Sequence, residues 1–372
     1  MIETVLVVWL IAMALWFGIA FFYLRGPDVR VWDQAGEATI ERFVSTDDQG
    51  HRAAVAKLAS LIEPAMGAPS RQRLAMLRRG MDDLFGDRRY AVSFIPVTAN
   101  GVPGEWVLAP SADPDRRLLY IHGGAFAMGS SRSHRVITAR LAEITGGAIL
   151  SIDYRLRPEH PRRAGIDDCR SAYDWLVANG PQGPAPAKVL FVAGDSAGGN
   201  LTLSLLAALR DEGARRPDAA VALSPVTDMT LGSPSIKSNR LTDPLLGPVL
   251  APLLWLPRST LLWIGWLQSR TPPARPLISP LFGDLANLPP ILIQASDAEM
   301  LRDDCIRYTN KARAAGSPVR LQLWSRVVHV WQIFYPDLAE ARQAFDEIDK
   351  FLKQVAPSAP GKSSVPDEQG AS

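Results

Sequence analysis

The chain has 372 residues, 47% of them hydrophobic and 21% charged, enough apolar material for a full core and unlike a disordered or fibrous protein. Its formal net charge of +2 is spread without long basic runs, which leaves no electrostatic footprint for a nucleic-acid partner. Two cysteines, Cys169 and Cys305, are too few for a disulfide framework or a thiolate metal site and read as buried small hydrophobes.

Residues 4–24 form an apolar run without a charged side chain, long enough to cross a bilayer as a helix. Trp9 and Trp16 lie inside it, Phe21, Phe22 and Tyr23 close it, and Arg25 and Arg30 follow where headgroups would lie. A cleaved signal peptide needs a basic start and a small-residue cleavage site, whereas this run follows Glu3 and ends Phe-Phe-Tyr-Leu-Arg. Residues 1–30 are therefore expected to be a single-pass membrane anchor with its flank. Positive charge lies after the span, so the positive-inside bias places the remainder in the cytoplasm.

Residues 31–89 are expected to form a small helical segment, with helical spacing at 53–61 and 71–84 and a turn at 67–70. From Tyr90 the pattern changes to β-rich runs at 91–97, 106–109, 117–121, 148–152, 189–193, 219–223, 291–295 and 319–324. Helical candidates fall near 134–145, 165–179, 197–211, 301–315 and 335–354. The alternation predicts an α/β fold over 90–355. Its eight-stranded, mostly parallel sheet has helices on both faces, and the earliest strands run antiparallel at one edge. An insertion at about 226–285 includes an apolar stretch broken by Pro248, Pro252 and Pro257 and followed by Arg258, which argues against a second spanning helix. Trp255, Trp263 and Trp266 give it an interface-like character. It is expected to be a cap over the substrate site, with Trp263 and Trp266 binding substrate; ordinary packing on the sheet is the alternative. Residues 356–372, rich in Ser, Pro and Gly, are expected to be a disordered tail.

Gly194-Asp195-Ser196-Ala197-Gly198 sits between a predicted strand and a predicted helix, the setting of a nucleophile elbow on Ser196. A phosphate-cradling loop is disfavoured, because no lysine follows. His122-Gly123-Gly124-Ala125 follows the 117–121 strand, so the amides of Gly123, Gly124 and Ala197 are the expected oxyanion hole, with His122 bracing the loop. Of five histidines, His51 falls in the helical segment, His134 at a helix start and His160 in a proline-rich stretch. Only His329 follows the last strand, where a base for Ser196 belongs. The acid that orients it is Asp297 or Glu299, and spacing does not separate the two.

Together these motifs resemble the hormone-sensitive lipase family of α/β-hydrolases, most specifically through Asp153-Tyr154-Arg155-Leu156-Arg157-Pro158-Glu159-His160-Pro161. The likeness runs from about Trp106 to Phe334. It places the acid on Glu299, leaving Asp297 as the alternative. It also implies a cap of N-terminal helices plus the insertion, and no metal or organic cofactor. Three departures stand out: Ala125 replaces a third glycine, Glu299 the commoner Asp, and Arg157, Arg162 and Arg163 replace apolar residues or proline. The expected reaction is hydrolysis of short- to medium-chain acyl esters through an acyl-enzyme on Ser196, with a small-molecule or lipid ester as substrate. An amidase or deacetylase of acetylated small molecules is the nearer alternative. A catalytically silent binding protein is disfavoured because Ser196 and His329 are both present. The sequence carries no signal for an oligomeric state.

Overall fold

The computed structural model describes residues 1–34 and 40–357, so the expected disordered tail lies outside the described residues from 358 onward. The strands are β1 (Ile40–Phe43), β2 (Ser93–Ala99), β3 (Val102–Leu108), β4 (Asp113–Ile121), β5 (Gly147–Ile152), β6 (Asn179–Gly180), β7 (Gly183–Pro184), β8 (Val189–Asp195), β9 (Ala219–Leu223), β10 (Ile291–Ser296) and β11 (Val319–Trp324). The helices are α1 (Ile2–Ile19), α2 (Asp48–Gly67), α3 (Ser70–Asp83), α4 (Arg135–Thr145), α5 (Arg162–Ala178), α6 (Ser196–Asp211), α7 (Ser235–Ser238), α8 (Leu246–Leu250), α9 (Arg258–Ser269), α10 (Arg302–Ala314) and α11 (Ala339–Val355).

Nine strands form one sheet in the order β1-β11-β10-β9-β8-β4-β5-β3-β2, while β6 and β7 pair only with each other. The pairs β2 with β3 and β3 with β5 are antiparallel, as expected for the early strands; the other neighbours run parallel. Strands β5, β9 and β10 are buried along their whole length, because helices cover both faces, and such strands must be apolar at successive positions. Helices α5, α6 and α10 pack on one face and α4 and α11 on the other.

The sheet has one strand more than the expected eight. Strand β1 comes from the segment expected to be wholly helical, and it pairs in parallel with β11, Ile40 opposite Leu321 and Phe43 opposite Trp324. No residue of it is fully buried, so its sequence lacks the apolar signal of a core strand. Docking makes it a strand: the Phe43 and Trp324 rings stack with centroids 4.2 Å apart.

Helix α1 continues as a wider helical turn, Ala20–Leu24. The run Ile2–Leu24 is the one helix among the described residues long and apolar enough to cross a membrane. Nearly all its side chains are exposed, but Ala20 and Leu24 are fully buried against Leu262 of α9. The chain then reverses at Gly26, whose φ is +73° and whose Cα faces Ala274 so closely that a Cβ would collide with its methyl group and crowd the Phe282 ring.

Two attachments cover the end of the sheet where its parallel strands finish. Arg78 on α3 donates to the carbonyls of Ala127 at 2.7 Å and Arg157 at 2.9 Å and pairs with Glu159. In the insertion after β9, Asn239 donates to the carbonyls of Asp297 at 2.7 Å and Glu299 at 2.9 Å, and Asp243 accepts the Met300 amide at 2.9 Å.

At the start of α11, the buried Glu340 carboxylate accepts from the Ser45 hydroxyl at 2.7 Å and the amides of Thr46 and Asp47 at 2.9 and 3.0 Å. Glu340→Ala strands three donors, so urea unfolding should register a loss of about 3 kcal/mol. A variant as stable as the parent would mean that water replaces the carboxylate.

Candidate active site

Ser196 is where β8 becomes α6. Its φ is +51°, a left-handed conformation that costs a residue with a Cβ about 1–2 kcal/mol. The glycines on either side are demanded by close approach, since a Cβ on Gly194 or Gly198 would strike the Ile121 carbonyl at the end of β4. The hydroxyl is consequently held half-buried above the end of the sheet.

His329, in the loop after β11, brings Nε2 to 2.9 Å from Ser196 Oγ, and its Nδ1 lies 2.6 Å from Glu299 Oε2. His329 and Glu299 are both buried. With Nδ1 donating to the carboxylate, Nε2 is left as the acceptor facing the serine hydroxyl. The second Glu299 oxygen accepts the Ser296 amide at 3.0 Å. Asp297, the alternative acid, instead accepts the Arg326 amide at 2.9 Å and ties down the loop that precedes His329. Burial pushes the imidazolium of His329 downward, but the hydrogen bond and charge of Glu299 outweigh it, so its pKa lies above the ordinary histidine range.

The loop after β4 departs from expectation in one donor. The Gly123 amide donates to Asp195 Oδ1 at 2.9 Å, so it is already engaged by the protein. Gly124, Ala125 and Phe126 all adopt positive φ, at +107°, +54° and +61°. The amides of Gly124 and Ala125 have no protein acceptor among the described residues. That of Ala197, in the first turn of α6, has no carbonyl behind it in the helix. The free donors are thus Gly124, Ala125 and Ala197, with Ala125 replacing the expected Gly123.

The residue before the serine was not singled out from the sequence, yet it organises the site. Asp195 accepts from the Tyr120 hydroxyl at 2.6 Å and from Gly123, and lies 3.3 Å from His134 Nε2. Burial pushes the Asp195 pKa up, but the charge and hydrogen bond of His134 bring the net below the carboxylate range; the reciprocal balance raises His134. His122 remains neutral, because burial and the charge on His134 pull it down to about 4. It braces the loop as expected: Nδ1 donates to the Gly123 carbonyl at 2.7 Å and the ring stacks on Tyr154 at 4.4 Å. The signal for this network was present, an aspartate inside the elbow and a histidine opening a helix, but its pairing spans 61 residues of chain. His51, half-buried on α2, and the exposed His160 belong to neither group.

Of the three departing arginines, Arg162 is buried, with its guanidinium 3.5 Å from the centre of the Phe126 ring and donating to Asn200 Oδ1 at 2.6 Å. Asn200 in turn donates to the carbonyls of Val226 and Ile278 in the insertion. Arg162 thereby links the glycine loop after β4 to the insertion. Trp263 and Trp266, expected to bind substrate, make their ring contacts with each other and with the N-terminal helix. Trp263 stacks on Trp16 at 4.7 Å and donates to its carbonyl at 3.2 Å, and Trp266 packs edge-on against Trp263. Their apolar faces complete the small core around Ala20, Leu24 and Leu262.

A family described as the alpha/beta hydrolase fold matches residues 118–333. An acetyl-hydrolase of Streptomyces hygroscopicus is 38% identical over 69% of this chain and 81% of its own length. An esterase of Acinetobacter venetianus is 34% identical over 80% of this chain and 95% of its own. Among solved structures, an esterase from the bacterial hormone-sensitive lipase family superposes with a TM-score of 0.70 at 36% identity, covering 82% of this chain and 98% of that one.

Nuclear magnetic resonance titration of the His329 ring should give a pKa above the usual value of about 6.5. In Glu299→Gln it should fall by roughly one pH unit or more, as the stabilising charge is lost. Asp297→Asn should leave it in place, and a larger fall in that variant would reverse the assignment of the acid.

Proposed function

Since the chain belongs to the hormone-sensitive lipase family of α/β-hydrolases and is a carboxylesterase or lipase of that family, we propose that it cleaves short- to medium-chain acyl esters through an acyl-enzyme on Ser196, while anchored to a membrane by Ile2–Leu24. The reading is carried by the hydrogen-bonded series from Ser196 Oγ to His329 Nε2, 2.9 Å, and from His329 Nδ1 to Glu299 Oε2, 2.6 Å.

The steps follow from that order. The serine proton passes to His329 Nε2 as Oγ bonds to the ester carbonyl carbon, and the carbonyl oxygen takes the negative charge. The amides of Gly124, Ala125 and Ala197 stabilise that oxyanion, each donor being worth roughly a hundredfold in kcat. Collapse expels the alcohol, which takes the proton from His329. Water then repeats the sequence: His329 removes its proton, the hydroxide attacks the acyl carbon, and the acid leaves as Ser196 is restored. Glu299 accepts the hydrogen bond from His329 Nδ1 and stabilises the imidazolium. The scheme draws on no metal or cofactor. The relative named an acetyl-hydrolase supports a short acyl group. The same relay would cleave an acetylated amide, and the ester is favoured by the relative named an esterase and by the esterase structure.

The anchor rests on the exposure of Ile2–Leu24, since so long an apolar surface facing water would be costly. A run of 23 residues reaches about 35 Å, enough for the hydrocarbon layer. Arg25 and Arg30 at its C-terminal end favour a cytoplasmic catalytic domain.

Ser196→Ala should abolish covalent labelling by a fluorophosphonate and lower ester hydrolysis by several orders of magnitude, with an unchanged unfolding curve. Persistent labelling of that variant would refute the assignment of the nucleophile. The full chain should stay in the membrane pellet on alkaline carbonate extraction, and deletion of residues 1–19 should release it; extraction of the full chain would exclude a span.

A further inference from the structure

Where the apolar helix ends, the turn at Gly26 lays the following segment against the start of α9, and a pocket of about 100 Å³ opens in the crook. Four arginines line it: Arg25 and Arg30 from the segment after the span, Arg258 at the start of α9, and Arg307 of α10. Two of them are neutralised, Arg30 by Asp28 and Arg307 by Asp33, each at 2.5 Å. Arg25 and Arg258 have no carboxylate within ion-pair distance among the described residues. Arg258 makes a single hydrogen bond, to Thr230 Oγ1 at 3.1 Å, and its Nε is buried without a partner. The nearest other acids are committed elsewhere. Asp228 accepts the amides of Thr230 and Gly232, and Asp304 those of Thr227 and Asp228. Asp28 also lines the pocket but is taken up by Arg30, so among the described residues the guanidinium groups of Arg25 and Arg258 are left without an ion-pair partner of their own.

We propose that this pocket binds the phosphate group of an anionic lipid headgroup and so fixes the cap helix α9 at the bilayer surface. The proposal rests on reading Ile2–Leu24 as a membrane span. A guanidinium presents its donors in a planar fork that matches phosphate oxygens. A volume of about 100 Å³ has room for several waters, and so for one phosphate group. Its depth suits a headgroup, because it follows directly on the last buried turn of the apolar run. Phe22, three residues before Arg25, is 93% exposed, and Trp255, three residues before Arg258, is 82% exposed, apolar groups suited to the interface beside the headgroups.

The test uses the full chain in detergent micelles, with thermal unfolding followed during separate titrations of phosphatidylglycerol, phosphatidylcholine and inorganic phosphate. Phosphatidylglycerol should raise Tm saturably, and phosphatidylcholine should not. The double variant Arg25→Gln with Arg258→Gln should bind phosphatidylglycerol about a hundredfold more weakly, roughly tenfold per arginine, while hydrolysing a soluble short-chain ester as the parent does. Equal stabilisation by phosphatidylcholine, or undiminished binding by the double variant, would overturn the proposal. Inorganic phosphate binding as tightly as the lipid would transfer the pocket to a soluble phosphate and overturn the lipid assignment. Carbonate extraction from phosphatidylcholine vesicles reports on the span separately, since it does not depend on the arginines.

Discussion

The strained turn at Ser196 is the constraint on which the rest of the site depends. A serine at φ +51° persists only where the surroundings over-determine it, and here they do so from three sides. Gly194 and Gly198 let the turn press against the end of β4, and Asp195 reaches across to hold the next loop through the Gly123 amide at 2.9 Å. His134 keeps Asp195 ionised inside the protein. Removing one partner of a buried pair costs about 3–5 kcal/mol, more than the strain it secures, so the turn and the glycine loop stand or fall together. The amide that anchors the loop is thereby withdrawn from chemistry. Its neighbours Gly124 and Ala125 are presented instead.

The parallel sheet converts this local device into a site. Strands β4, β8, β10 and β11 all end on the same side, so the loops carrying Gly124, Ser196, Glu299 and His329 converge there although they span about half the chain. The two attachments then lock these loops from outside. Arg78 holds the loop after β4, Asn239 and Asp243 hold the acid loop, and Arg162 with Asn200 joins the glycine loop to the insertion. Positioning to a few tenths of an ångström is what a proton relay demands, and these contacts restrict the loops that carry it.

The insertion also faces the other way. Helix α9 packs against the end of the N-terminal helix, and Trp263 closes the joint by stacking on Trp16. An apolar helix that projected freely would be independent of the catalytic domain. This one has its last turn buried against α9 of the insertion, so the two helices are packed as one unit there.

What the sequence determined by itself was whatever short-range physics controls. Apolar runs marked the covered parallel strands, the glycines around Ser196 marked a turn that only small residues permit, and the uncharged run at 4–24 marked a helix suited to lipid. Chain order pointed to His329, the histidine whose Nε2 lies 2.9 Å from Ser196 Oγ. Tertiary structure decided everything that depends on which groups meet. It set Glu299 and not Asp297 against the imidazole, because only one of two carboxylates two residues apart points at it. It occupied the Gly123 amide with Asp195, made a strand of Ile40–Phe43 by setting it beside β11, and turned Trp263 and Trp266 toward the N-terminal helix. It also gathered Arg25, Arg258 and Arg307 around one pocket from three separate stretches. Periodicity and backbone freedom are properties of neighbours along the chain, whereas hydrogen bonds, ring stacking and unmet charge are properties of neighbours in space.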